Sequence, residues 1–317
     1  MSDLPTTYPD PVPLAIIGGT GLSTLPSPPF HPLASLPTST TTTPWGPPSS
    51  AITILSYTPT PSQHQPQSQH AQQQPTIIAF LARHGTAHDI APHEINNRAN
   101  VAALKRLGVR CVVGFSAVGS LREEVKPRDF CVGGGVVDWT KGVRPWTFFE
   151  KGMVGHISMA DPFDKILSES VYKAISRPGV LEGEEVKAHK DCTVIVIEGP
   201  QFSTRSESLL YRSLPTNPPI SIINMSTMPE AKLFREAEIA YALIAMSTDY
   251  DSWHDINEGS GCGAVGGVEE GRGGEGDGGE VERADEGGVL GLAKGHGGEA
   301  VERLRWLFGD EWVDGAK

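Results

Sequence analysis

Short apolar runs that end in glycine or a small polar residue, interleaved with stretches of helical spacing, constrain this chain more than any other feature. Residues 14–17 run into Gly18-Gly19-Thr20-Gly21, 76–82 into Arg83-His84-Gly85, and 111–115 into Ser116-Ala117-Val118-Gly119-Ser120. Residues 193–198 run into Gly199-Pro200 and 220–224 into Met225-Ser226. Runs this short and this apolar read as strands buried on both faces. Among them, 94–107 places Ile95, Ala99, Ala102, Ala103 and Leu107 on one helical face and stops at Gly108. Further helices are expected at 203–210 and 229–240, and further strands at 51–57, 130–138 and 241–247. Such interleaving predicts an α/β domain built on a central mixed sheet.

Two tracts cannot join that core. Residues 58–75 are rich in Gln, Pro, Ser and His and are expected to form a disordered hairpin tip between strands 51–57 and 76–82. Residues 257–288 are dominated by Gly with Glu and Asp, with too little apolar surface to offset the entropy of ordering. The expected organisation is one domain over 14–256 carrying the first tract as an insertion, then the Gly/Glu tract. A helical segment of the same domain follows at 289–313, with an amphipathic helix at 299–308.

The net charge of −12 among 317 residues argues against a nucleic-acid-binding surface, though it leaves room for a small basic pocket. Cys111, Cys131, Cys192 and Cys262 are widely spaced and fit no metal pattern, and Cys111 and Cys131 read as buried thiols. Their usage predicts a reducing, cytoplasmic setting. Residues 1–13 lack a basic and an apolar region, so no leader is expected, and no run nears the roughly 20 apolar residues of a membrane span.

The strand-end loops carry the chemistry. In Gly18-Gly19-Thr20-Gly21 the glycines let backbone N–H groups approach an anion and Thr20 adds a hydroxyl, although a plain tight turn fits equally well. Thr24 breaks a dinucleotide fingerprint, and no Gly-Lys-Ser/Thr exists for a P-loop. Arg83 offers a charged donor fork for phosphate and His84 a further donor; the alternatives are a surface Arg and a capping His. Ser116, Ala117 and Ser226 supply hydroxyl and N–H groups where open α/β sheets place ligands. Asp249 and Asp251, around Tyr250, are either a solvated turn or a carboxyl pair in a partly dry site, where one keeps its proton. Phe202 and Met225 are either core residues or faces for a ring and a sugar, and His156 reads as a structural histidine.

Taken in order, these motifs resemble the S-methyl-5′-thioadenosine phosphorylase branch of the trimeric purine nucleoside phosphorylase superfamily. The set is Gly18–Gly21, Ala82–Gly85, Asn96-Asn97-Arg98-Ala99-Asn100, Ser116–Leu121, Glu198–Ser203, Asn224–Ser226 with Pro229-Glu230, and Thr248–Asp251. The resemblance runs from about Leu14 to Trp253. It implies a phosphorylase/hydrolase-like three-layer α/β/α fold, a homotrimer, and phosphorolysis of methylthioadenosine to adenine and 5-methylthioribose 1-phosphate in methionine and purine salvage. It also implies a cytoplasmic and nuclear location, with no metal and no cofactor; inorganic phosphate is a co-substrate.

By motif position, Thr20, Arg83, His84, Ser116, Ala117 and Ser226 are implied to hold phosphate. Met225, Phe202 and Ser203 are implied to frame sugar and base, and His156 to reach a neighbouring subunit's 5′ pocket. Asp249 and Asp251 are implied to read adenine, Asp249 as the acid that protonates N7. A carboxylate facing a 6-oxo group repels it unless protonated, so adenine nucleosides are expected over inosine. Gln201 stands where many relatives have Arg. After Trp253, where relatives carry a valine-bearing lid, this chain enters its Gly/Glu tract, with Val265 and Val268 the nearest candidates. A broader purine nucleoside phosphorylase and a non-catalytic binding protein remain open alternatives.

Overall fold

A computed structural model describes residues 4–25, 28–58, 75–149, 155–181 and 185–254. The expectations for the hairpin tip, for 257–288 and for 289–313, with Val265, Val268 and Cys262, lie outside the described residues. Nine strands form one mixed sheet in the order β2-β3-β4-β1-β5-β8-β7-β6-β9. They are β1 Leu14–Gly18, β2 Phe30–Leu36, β3 Ile52–Tyr57, β4 Thr76–Ala82, β5 Cys111–Ser120, β6 Phe130–Asp138, β7 Ala188–Val196, β8 Ile220–Asn224 and β9 Ala240–Tyr250. Among the described residues, four α-helices flank the sheet: α1 Asn97–Arg106, α2 Lys165–Ile175, α3 Arg205–Ser213 and α4 Thr227–Glu236.

The sheet does not stay open. β9 pairs in parallel with β5 and antiparallel with β6, so β5, β8, β7, β6 and β9 close into a ring while β2, β3, β4 and β1 extend from it as a wing. Closure removes an edge strand at β9. β1 is buried between two parallel neighbours, β4 and β5, which explains its continuously apolar sequence. α1 packs on α4, and α2 and α4 lie against β9.

Several expectations change. The helix begins at Asn97 rather than at 94, because the Asn96 side chain accepts from the Ala99 N–H at 3.3 Å and caps it. Its most buried apolar residues are Ala99, Val101, Ala103 and Leu104, with Leu107 partly buried against the same core and Ala102 less covered. Residues 116–120 are not a turn: β5 continues through them because β9 supplies a partner as far as Ser120 opposite Tyr250. Asp249 likewise sits in a strand, not a turn. Cys131 is buried as expected, whereas Cys111 is half-buried with its thiol 3.6 Å from the Pro13 carbonyl.

Candidate active site

The site begins where β5 outruns β1. β1 pairs with β5 only as far as Ile17 opposite Gly114, and its own chain then turns away at Gly18–Gly21. Gly21 adopts φ 81°, a conformation glycine takes without steric cost. Gly19 is there for a different reason. A Cβ at that position would lie 2.5 Å from the Phe115 carbonyl and 2.7 Å from Arg83 Nη1, so only glycine lets the loop close on β5. Thr20 is exposed at the loop's tip.

Behind this loop lies Arg83, and the structure rules out the surface-residue alternative. The side chain is 1% exposed, and its guanidinium is already engaged. Nε and Nη2 pair with the two Glu230 oxygens at 2.7 and 2.8 Å, and Nη1 donates to the Phe115 carbonyl at 2.8 Å. The Tyr241 hydroxyl donates to the same carboxylate at 2.6 Å. Arg83 therefore braces β4, α4, β5 and β9 beneath the loop, and its charge is balanced by Glu230.

His84 faces a different demand. Its Nδ1 lies 2.9 Å from the Ile90 carbonyl, which can only accept, so Nδ1 carries the proton. Burial, with the Arg83 charge adding to it, pushes its pKa down to about 4. The ring is thus neutral near pH 7 and Nε2 presents a lone pair, so the side chain accepts where a donor was expected. His88 was not foreseen. Its ring lies 4.8 Å from that of His84 and its Nε2 is 3.5 Å from the Thr20 hydroxyl, placing it at the mouth of the same loop. It sits at φ 55°, which nothing in its sequence context announces.

Ser116 and Ser226 come together. Their hydroxyls are 3.4 Å apart, and Asn224 Nδ2 donates both to Ser116 Oγ at 3.1 Å and to Thr227 Oγ1 at 2.6 Å. Ser226 occupies the cap position of α4 without spending its hydroxyl on the helix. Met228, at φ −115° and ψ 135°, breaks regular helix geometry just inside the cap. Asn224 and Thr227 are site residues that the motifs alone did not assign a task.

Further along β5 lies the carboxylate end. The register slips by one residue between Val118 and Gly119: Val118 faces Ser247, but Gly119 faces Asp249. The extra residue, Thr248, turns Asp249 onto the face shared by Ala117 and Gly119 instead of the buried face of Ser247. Burial raises the Asp249 carboxyl above the ordinary range; a 2.9 Å hydrogen bond from the Thr248 hydroxyl opposes this and the nearby Asp251 charge adds to it. Asp251 is raised as well, again chiefly by burial. Its backbone N–H is fixed to the Ser120 carbonyl at 2.8 Å, and the Ser252 hydroxyl donates to the Ser203 carbonyl at 2.7 Å. Asp251 Oδ2 and Ser203 Oγ are buried without a hydrogen-bond partner among the described residues.

The remaining candidates are less constrained. Phe202 is 59% exposed, so the core-packing alternative fails. Met225 is half-buried against the cluster of Leu121, Ile195, Ile197, Tyr211 and Ile220, and its sulfur rests on Gly199. His156 is exposed rather than a satisfied core histidine. It follows the undescribed residues 150–154, and the structure does not draw it into the cluster.

A residue the sequence reading passed over is Arg144, 4% exposed in the loop after β6. Its guanidinium bonds the Glu198 carboxylate at 3.0 Å and the carbonyls of Glu198, Met225 and Met228 at 2.6, 2.6 and 2.7 Å. No spacing signal reveals it, because its partners, one carboxylate and several backbone carbonyls, lie more than 50 residues away.

Residues 14–260 match the family model described as the phosphorylase superfamily. S-methyl-5′-thioadenosine phosphorylase of Fusarium vanettenii is 54% identical over 258 residues, covering 81% of this chain and 75% of that protein. The Emericella nidulans protein of the same name is 56% identical over 259 residues, covering 81% of this chain and 66% of its own length. Among solved structures, a methylthioadenosine phosphorylase from an antarctic soil metagenomic library is 38% identical with a TM-score of 0.62, covering 79% of this chain and 77% of that one. Methylthioadenosine phosphorylase from Schistosoma mansoni in complex with adenine is 31% identical with a TM-score of 0.62, covering 78% and 82%.

Proposed function

The chain belongs to the phosphorylase superfamily, whose enzymes of this type use phosphate as a substrate, and from that premise we propose that it cleaves S-methyl-5′-thioadenosine with phosphate, releasing adenine and 5-methylthioribose 1-phosphate. The observation that carries this reading is the placement of two unlike ends along one strand. Ser116, beside Ser226, and Gly119, opposite Asp249, are three residues apart on β5. That is about 10 Å of strand; Ser116 points to the opposite face, but Ala117 between them shares the face of Gly119 and Asp249, so a ligand running from the Ala117 backbone to Asp249 lays phosphate, sugar and purine along one face.

The chemistry follows from each end. Breaking the bond between sugar and base builds positive charge on the sugar and negative charge on the base. Thr20, Ser116, Ala117 and Ser226 hold the phosphate nucleophile where its charge meets the developing cation. Arg83 acts from behind the loop, and His84 Nε2 accepts a hydrogen bond from the hydroxyl of a protonated phosphate. Asp249, whose raised pKa keeps a larger protonated fraction, donates to the departing purine. Asp251 Oδ2, buried and unpartnered, accepts from the exocyclic amine. Phe202, Ser203 and Met225 frame base and sugar.

The reading includes a homotrimer, in which exposed His156 reaches toward a neighbouring copy's sugar pocket, acting in methionine salvage in the cytoplasm. Adenine release from methylthioadenosine, measured with and without phosphate and beside inosine, tests it. Release only with phosphate, and little from inosine, is the expected result; comparable turnover of inosine would point to a broader nucleoside phosphorylase.

A further inference from the structure

We propose that Arg144 is the positioning residue that sets the distance between the two walls of the site, and the proposal rests on the phosphorolysis reading above. One wall is the turn after β7, where Glu198 and Gly199 lead to Phe202 and Ser203. The other is the turn after β8, where Met225 and Ser226 lead into α4. Nothing in the sheet register fixes these walls to each other beyond Val196 opposite Asn224. Past that pair both chains leave the sheet, and the Ile197 N–H gives the last backbone bond between them, to the Asn224 carbonyl at 2.9 Å.

Arg144 takes over from there. On the β7 side its Nε meets the Glu198 carboxylate at 3.0 Å and its Nη2 meets the carbonyls of Ile197 and Glu198 at 3.4 and 2.6 Å. On the β8 side its Nη1 meets the carbonyls of Met225 and Met228 at 2.6 and 2.7 Å. Carbonyl oxygens from two chains converging on one point repel. A planar cation with donors on several edges turns that repulsion into a bridge, which no neutral side chain of this size does. The same bonds fix the odd geometry of the second wall: Met228, whose carbonyl is held, is the residue with non-helical angles inside α4. On the first wall Gly199, at φ 70°, lies against the Met225 sulfur, so the walls touch directly above the guanidinium.

The arginine is itself held. Its loop is anchored by the Trp139 N–H on the Val196 carbonyl at 2.9 Å, and by the Thr147 hydroxyl and Phe148 N–H on Glu236 at 2.8 and 2.7 Å. Burial lowers the Arg144 pKa, and the Glu198 carboxylate offsets part of that effect. The arginine's bonds go to Ile197, Glu198, Met225 and Met228, on the two walls, so it acts through them and is a positioning residue rather than a catalytic one.

The consequence is a specific kinetic split. Each substrate keeps the groups of its own wall when Arg144 is lost, but the two walls no longer hold phosphate and base in line across the sugar. In Arg144→Ala, kcat is expected to fall about 10²-fold, the size of a misplacement near 1 Å. KM for phosphate and for methylthioadenosine should each stay within about threefold. Added guanidinium ion should restore part of kcat. Arg144→Lys keeps the charge but serves one wall at a time, so its kcat is expected to fall about tenfold; it decides the matter if the alanine variant does not fold.

Unchanged kcat in a folded variant overturns the proposal. So does a loss that appears only in KM, or one that guanidinium fails to relieve. Amide exchange gives a readout independent of turnover: 197–203 and 224–228 should exchange faster together, while β1 and β4 do not. Faster exchange in one wall alone, or in neither, also overturns it. A wild-type protein that releases no adenine fails the phosphorolysis reading instead, and the exchange result still judges the bridge.

Discussion

Arg83 and Glu230 form a two-pronged ion pair, Nε to Oε2 at 2.7 Å and Nη2 to Oε1 at 2.8 Å, with both side chains no more than 2% exposed. The pair joins the loop after β4 to the first turn of α4, 147 residues apart in sequence. It gives the phosphate end of the site a rigid floor and at the same time spends much of the positive charge that Arg83 could offer an anion. A buried pair of this kind is costly to assemble and costlier to break from one side. Glu230→Ala leaves an unpaired guanidinium and an unpartnered Tyr241 hydroxyl, and is expected to lower stability by about 3–5 kcal/mol. Denaturant titration of the two proteins measures this; a loss below about 1 kcal/mol, the scale of a surface pair, would show that the pair does not brace the floor.

Asp249 is the group whose chemistry and geometry agree most closely. Asp249→Asn keeps the shape and removes the ionisable carboxyl that burial shifts toward its protonated form. The rate on methylthioadenosine is expected to fall about 10²-fold or more, the range for a positioned acid. Discrimination against inosine should narrow, because the amide can donate to a 6-oxo group. The ratio of kcat/KM for the two nucleosides is the measurement, and an unchanged ratio with unchanged rate removes Asp249 from its assigned role.

Much of the framework was legible because the loops proposed to bind phosphate follow strands whose apolar runs announce themselves: β1, β3, β4, β6 and β8 lie where their sequences place them. What escaped notice did so for physical reasons. β2 carries Pro32, breaks register beside it and lies at the sheet's edge, so it lacks the apolar signature of an inner strand. α2 has no buried residue among its eleven and shows little of a core face. The continuation of β5 through Ser116–Ser120 reads locally as a turn and is a strand only because β9, 120 to 130 residues later, pairs with it. The slip at Thr248 that aims Asp249 is a property of that pairing, and the bridges made by Arg144 and Arg83 end on partners that no local pattern contains.

The same carboxylates predict a trade between stability and function. Asp251 is buried, its Oδ2 has no partner among the described residues, and its pKa is raised above the ordinary carboxylate value of 3.8. A raised folded pKa means that the folded chain binds the proton more tightly than the unfolded chain, so this group contributes stability at low pH and loses it as pH rises through the folded value. Asp251→Asn is therefore expected to melt higher than wild type at pH 7 while losing affinity for the adenine ring. The gap in melting temperature should shrink as pH is lowered toward 4. A variant that melts lower at every pH would mean that the carboxylate is a structural anchor.

His84 predicts the opposite slope. Burial holds its pKa near 4 against an ordinary value of 6.5. Between those two values the unfolded chain carries a proton that the folded chain refuses, so stability falls as pH drops from about 6.5 to about 4 and changes little from this source above that window. The gap corresponds to about 3 kcal/mol. His84→Gln keeps a donor for the Ile90 carbonyl but has nothing to titrate. Its stability is expected to lie above that of wild type at pH 4.5 by more than it does at pH 7, measured as denaturant midpoints with a common slope. The same substitution replaces the Nε2 lone pair, so KM for phosphate should rise at pH 7, where the charge of neither side chain changes. Parallel stability curves across the window would show that the folded ring takes up its proton as readily as the unfolded one, so that burial does not depress it.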